Sequence, residues 1–192
     1  LKEYEEKVLH AEEKAKALEY ELFLELRDRA LDDIKAIKQN AQILAELDVF
    51  LAFASCAIQN NYIRPQISSQ QELQIKDGRH PVVEQMTFEQ SFVPNDTDFQ
   101  KNGHELKLIT GPNMSGKSTY LRQVALMALM NQIGSFIPAK SAIMPVFDRI
   151  FTRVGASDNL VGGQSTFMVE MQESAYILNH ATDRSLIILD EV

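Results

Sequence analysis

A chain of 192 residues and 21.7 kDa can hold one domain with a buried core, or one domain and an appendage, but not a large multidomain machine. Its 45% hydrophobic and 24% charged residues exclude collagen-like, low-complexity and wholly disordered classes. Lys+Arg 19 against Asp+Glu 27 gives a net charge of −8, which excludes a domain that coats itself on nucleic acid by charge alone; any DNA contact is local or supplied elsewhere.

Cys56 is the single cysteine, so no disulfide framework and no thiolate metal cage can form within the chain, and a reducing cytosolic or nuclear compartment is expected. No apolar run reads as approaching the length of a membrane span, and Leu1-Lys-Glu-Tyr-Glu-Glu does not read as a signal peptide. The absence of an initial Met and an apolar strand that stops at full stride point to a fragment cut at both ends.

From Leu1 to about Asn61 there is neither Gly nor Pro. Apolar residues at Tyr4, Val8, Ala11, Ala15, Leu18 and Leu22 alternate steps of four and three, the spacing of a helix with a coiled-coil-like seam. The stripe continues through Leu26, Ala30, Ile34 and Ile37. A second stripe, from Ile43 to Ile58, follows Gln39-Asn40, which places the helix break at that polar pair. Glu12 and Lys16 sit one turn apart on a solvated face.

Near Tyr62 the texture changes to Pro, Gly, Asn and short apolar runs, so residues 1–61 form one helical unit and 62–192 another domain. Leu73-Gln-Ile-Lys alternates like a strand, Pro81-Val-Val-Glu is a candidate short one, and Asn95-Asp96 and Lys101-Asn102-Gly103 mark turns. Leu106-Lys-Leu-Ile-Thr reads as a strand entering a Gly-bounded loop. Leu121, Val124, Ala125, Leu129 and Ile133 then form a helical stripe ending by Gly134. Phe147 to Val154 is a candidate strand. Ser165 to His180 reads as a helix with Phe167, Met171, Ala175 and Leu178 on one face, and Leu186-Ile-Ile-Leu is a closing buried strand. That order predicts an α/β fold with a mainly parallel sheet covered by helices.

Gly111-Pro112-Asn113-Met114-Ser115-Gly116-Lys117-Ser118 matches the phosphate-binding loop pattern between an expected strand and an expected helix. Glycines let backbone N–H groups turn toward phosphate oxygens, the helix start is positive, Lys117 reaches β- and γ-phosphates, and the Ser118 hydroxyl can ligate Mg2+. Downstream, Leu186-Ile-Ile-Leu-Asp190-Glu191 delivers two carboxylates at the C-terminal end of a strand, Asp190 for the Mg2+ shell and Glu191 for the attacking water. Between them, Gly162-Gly163-Gln-Ser165-Thr opens a helix, either as a second anion site completing a neighbour's nucleotide site or as an ordinary capped helix with Ser165 as its cap. His10, His80, His104 and His180 share no metal-ligand spacing, and Met127 and Met130 read as core.

Thr110 through Gln123, Asp148 through Asp158, Ser165-Thr-Phe-Met-Val-Glu-Met and Gly78-Arg-His-Pro-Val-Val-Glu together resemble the MutS family of DNA mismatch repair proteins, over nearly the whole chain. The resemblance implies a P-loop NTPase, ABC-ATPase-like sheet with flanking helices, preceded by a long helical lever, with the ATPase part truncated after the second carboxylate motif. It implies ATP/ADP and Mg2+ as ligands, with Asn113, Lys117, Ser118 and Thr119 around the phosphates and Ser165 acting in trans. Phe92 would stack on the adenine; the alternative is a core Phe. It further implies a homodimer or related heterodimer, mismatched double-stranded DNA and a MutL-type protein as partners, no membrane, and a cytoplasmic or nuclear location. The continuation after Val192 expected of the family, with its switch histidine and dimerising helices, is missing, which bears on turnover by this chain alone. Competing readings are a MutS-like paralogue acting on branched DNA or stalled ribosomes, and a nucleotide-holding structural piece without turnover.

Overall fold

The computed structural model describes residues 2–86, 91–99, 106–154 and 166–190. They fall into two compact units, Leu1–Ala52 and Phe53–Val192.

The first unit is helical. Helix α1 (Lys2–Asp32) is followed by α2 (Ile34–Asn60), which runs on into the second unit. The break lies at Asp33, whose carbonyl accepts the Ile37 N–H at 3.0 Å, and the expected break at Gln39-Asn40 is continuous helix. The Lys16 ammonium donates to Glu12 at 2.9 Å, both on solvated positions. Leu18, Leu22, Leu26, Leu44 and Leu47 are exposed, so among the described residues nothing covers this part of the apolar stripe. By length and composition α2 is apolar enough to cross a membrane, contrary to the sequence expectation that no run approaches a span. Glu46 and Asp48 stand in that helix, and a charged side chain near a bilayer centre costs roughly 2.5–3.5 kcal/mol on insertion scales.

The second unit holds the core. Strands β1 (Gln66–Ser68) and β2 (Leu73–Gly78) precede the short helix α3 (Val83–Met86) and strand β3 (Asn95–Phe99). Helix α4 (Lys117–Gln132), strands β4 (Ser141–Pro145) and β5 (Ile150–Val154), helix α5 (Thr166–His180) and strand β6 (Leu186–Asp190) follow. The Pro81-Val-Val-Glu segment is turn and helix because His80 Nδ1 accepts the N–H groups of Val82 and Val83 at 3.3 and 3.2 Å, bending the chain as a cap does. Asn95-Asp96 opens a strand because the Asp96 carboxylate takes Lys76 Nζ and the Asp77 N–H, at 2.8 and 2.9 Å, across the β2–β3 pair.

The expected P-loop, ABC-ATPase-like parallel sheet is not what the described residues build. Four strands form a mixed sheet in the order β1-β4-β2-β3, with β1 and β4 parallel but β2 antiparallel to both neighbours. A separate parallel ribbon joins β5 and β6 in register, from Ile150 opposite Leu186 to Val154 opposite Asp190. Leu106–Thr110, the strand expected to enter the loop, pairs with neither sheet, and Leu106 and Leu108 are 93% and 86% exposed. The region is therefore a small mixed sheet with helices.

Helix α4 joins the two sheets. Val124, Met127 and Ala128 meet Leu73 and Ile75 of β2, Ala142 and Met144 of β4, and Leu186 and Ile188 of β6 in one buried cluster. The buried face is rotated from the sequence stripe: Gln123 and Asn131 are inside, whereas Leu129 and Ile133 are half exposed. Gly78 lets β2 pass close to this helix: a Cβ there would lie 2.9 Å from Gln123 Nε2 and Ile75 Cγ2, and those buried side chains would have to shift. Among the described side chains of α5 Ile177 is buried, while Met171 and Leu178 face solvent; the Phe167 side chain lies outside the described residues.

Candidate functional site

The loop from Gly111 to Gly116 is exposed and turns sharply. Met114 has φ 63°, a left-handed conformation that an L side chain adopts at a cost, and Gly116 has φ 92°, which glycine adopts freely. Gly116 is also the N-cap of α4 and supplies no side-chain bond to it. The first amides of that helix, at Lys117, Ser118 and Thr119, therefore lack both an intrahelical acceptor and a side-chain cap, the condition that makes a helix start attract anions. Lys117 curls back over the loop and donates from Nζ to the carbonyls of Gly111 and Pro112, each at 2.8 Å.

The ends of α4 and β6 meet. Ser118 Oγ donates to Asp190 Oδ1 at 2.9 Å, joining residues 72 apart in sequence. Asp190 is 6% exposed at the last position of β6, and its other oxygen faces the Arg122 guanidinium at 4.0 Å. Arg122 lies one helical turn after Ser118, so α4 supplies a hydroxyl and a cation to the same carboxylate. Arg122 carries no motif of its own, and its i+4 spacing from Ser118 is the one signal of it in the sequence.

Four residues complete the surroundings. Tyr120 Oη pairs with Thr97 Oγ1 at 2.9 Å and donates to the Asp96 carbonyl at 3.3 Å, tying α4 to β3. Phe92, three residues ahead of β3, is half-buried. His80 is buried and its pKa is held below the ordinary value, first by desolvation and then by the positive Arg122, with Glu84 opposing. A neutral ring fits its acceptor role toward two N–H groups. Arg79, beside it, donates from Nε to Glu84 at 2.6 Å and from Nη2 to the Asn60 carbonyl at 3.0 Å, anchoring the end of α2.

Lys117, Ser118 and Asp190 are thus brought together, with Gly111–Ser115 around them. Ser165, Gly162, Gly163 and Glu191 lie outside the described residues. The oxygen donors fit Mg2+: a hydroxyl and a buried carboxylate within hydrogen-bond distance of each other are the hard ligands that this ion prefers. Among the described residues there is no group of three or more His, Cys, Asp or Glu side chains that could form an all-protein metal cage.

A model of the MutS domain V family matches residues 107–192. Over all 192 residues the chain is 58% identical to the DNA mismatch repair protein MutS of Clostridioides difficile strain 630, 59% to that of Desulfitobacterium hafniense strain Y51 and 56% to that of Oceanobacillus iheyensis. It spans only 20–22% of the length of these curated relatives.

Proposed function

Since the chain belongs to the MutS family of DNA mismatch repair proteins, we infer that it binds ATP at the Gly111–Thr119 loop and that nucleotide binding and hydrolysis switch a dimeric DNA clamp. The observation that carries this reading is the Ser118–Asp190 hydrogen bond, which brings the phosphate-loop motif and the strand-end carboxylate motif to one point at the open start of α4. An isolated glycine loop would not require a buried carboxylate from a strand so far along the chain.

In this reading the free amides of the first turn of α4 receive phosphate oxygens, and Lys117 exchanges its two carbonyl partners for the β- and γ-phosphates. Ser118 and Asp190 would hold Mg2+, which when bound would screen the phosphate charge. Glu191, the residue after Asp190, takes the proton of the attacking water. Phe92 stacks on the adenine, and Ser165, immediately before α5, completes the site of a second subunit. Mismatched double-stranded DNA, a second copy or close homologue, and a MutL-type protein are the proposed partners, and the cytoplasm the proposed location. A chain of net charge −8 leaves most of the DNA contact to other parts of the protein.

Lys117→Ala in the full-length protein tests the reading. Loss of the charge that faces the phosphates is expected to weaken binding of a fluorescent ATP analogue by at least a hundredfold, with circular dichroism unchanged. Wild-type affinity in that variant would remove the loop from nucleotide binding.

A further inference from the structure

Arg153 is an arginine in the interior of the second unit. It occupies the second-last position of β5, opposite Leu189 of β6, and its side chain is 3% exposed. A guanidinium so placed requires a charged partner, because burying an unpaired cation costs far more than any packing it provides. Among the described residues Glu170 is such a partner: it opens the second turn of α5 and receives Arg153 Nη2 on Oε1 at 2.8 Å.

The surroundings show why this pair decides where α5 sits. Strand residues alternate between faces. Ile150 packs toward the core that α4 shares, so Phe151 and Arg153 point to the opposite face of the ribbon, where α5 lies. Among the described residues of α5 the one buried apolar side chain is Ile177, three turns from the helix start. Met168, Met171, Tyr176 and Leu178 are all largely exposed, and Phe151 meets Tyr176 edge-on at 6.3 Å. A directional bond near the start of the helix therefore fixes its axial position and rotation in a way that these contacts do not. The pair also acts electrostatically: a lone Glu170 so near the helix start would cancel its positive potential, and Arg153 offsets that charge.

We propose that Arg153 and Glu170 are a positioning pair that sets the start of α5 relative to the β6 end that carries Asp190. This rests on the nucleotide reading above, and it adds residues that touch neither phosphate nor base. Through β5 and β6 the pair connects the helix start offered to a neighbouring subunit with the carboxylate of the chain's own site.

The test uses the full-length protein. Glu170→Gln keeps the shape but loses the charge; it is expected to leave the affinity for a fluorescent ATP analogue within about twofold while lowering steady-state turnover about tenfold. Arg153→Met/Glu170→Leu replaces the pair by apolar groups of similar volume, and is expected to unfold at the wild-type temperature yet remain low in turnover. Wild-type turnover in Glu170→Gln, or its recovery in the apolar double variant, would reduce the pair to ordinary packing and overturn the proposal. A parallel fall of affinity, turnover and melting temperature in every variant would overturn it too. Lys117→Ala is the separate control: if it still binds nucleotide, the underlying reading fails whatever Glu170→Gln does, whereas loss of binding there with full turnover in Glu170→Gln removes the positioning pair alone.

Discussion

The two faces of the β5–β6 ribbon are held by different physics. Toward α4, Leu186 and Ile188 are buried with Val124, Met127 and Met144 in one apolar cluster, and Asp190 ends that row against Ser118. Toward α5, Ile187 and Leu189 remain over 40% exposed, and a charge pair and one aromatic edge join the ribbon to a helix whose one buried apolar side chain among the described residues is Ile177. The difference teaches how one small ribbon can serve two purposes. A face packed by dispersion and water exclusion is rigid and tolerates no void, whereas one held by a few directional contacts can be reset at small cost. The phosphate loop is mounted on the first kind and α5 on the second.

The strongest way to break this contrast is to delete matched volumes from the two faces. Ile188→Ala is expected to cost about 2–5 kcal/mol, the loss of a buried aliphatic side chain plus the cavity it leaves. Leu189→Ala, one residue on and facing the other way, is expected to cost under about 1 kcal/mol. Amide hydrogen exchange across residues 186–190 measures both in the full-length protein. Equal losses would mean that α5 packs as tightly as α4.

The same contrast separates what was legible in the sequence from what was not. The phosphate loop, α4 and the end of β6 could be read because their signals are local: fixed glycines, a lysine and serine at set spacing, and apolar residues closing on Asp190. Pairing is not local. Leu106–Thr110 has the composition of a central strand, but whether it enters a sheet depends on partners tens of residues away, and its side chains stay in solvent. That misplacement removed one expected strand, and the antiparallel pairing of β2 with β3 and β4 makes the sheet mixed. β1 and β4 escaped notice because both are short, and β4 ends in Pro145. Arg153 within an apolar run was a visible sign of a buried charge needing a partner, but which carboxylate would answer it is a tertiary fact.

An intermediate effect sharpens the α5 side. The Phe151–Tyr176 contact, with ring planes at 75°, should contribute about 0.5–1.5 kcal/mol beyond the area it buries. A double-mutant cycle with Phe151→Leu and Tyr176→Leu, read by exchange of the α5 amides, isolates that coupling from the Tyr176–His180 stack on the same helix. A coupling near zero would leave Arg153–Glu170 as the main directional hold on α5.

The smallest expected effect concerns the end of the ribbon opposite Asp190, where polar side-chain bonds join the two strands' approaches. Asp148, just before β5, accepts Thr182 Oγ1 at 2.7 Å and Ser185 Oγ at 2.9 Å from the turn that leads into β6. These bonds, with the Thr182 hydroxyl first, favour the ionised carboxylate and hold its pKa below the ordinary value. The sign follows from proton counting: the unfolded chain binds the proton more readily than the folded one, so the contribution is fully present above about pH 4 and is lost as pH falls through the depressed folded value. Because Asp148 is solvent-exposed the energy involved is small, and the titration itself is the better readout. Carbon-detected NMR of the Asp148 carboxyl should give a midpoint below about 3.9 in the wild type, moving back toward it in Thr182→Val. Exchange protection of the Leu186 amide, bonded to the Arg149 carbonyl at 3.0 Å, should weaken over the same acid range in the wild type and change less in Asp148→Asn, which cannot titrate. An unchanged midpoint in Thr182→Val would show that the turn hydroxyls do not set the charge of Asp148, and that the β5–β6 ribbon is closed at this end by its backbone bonds alone.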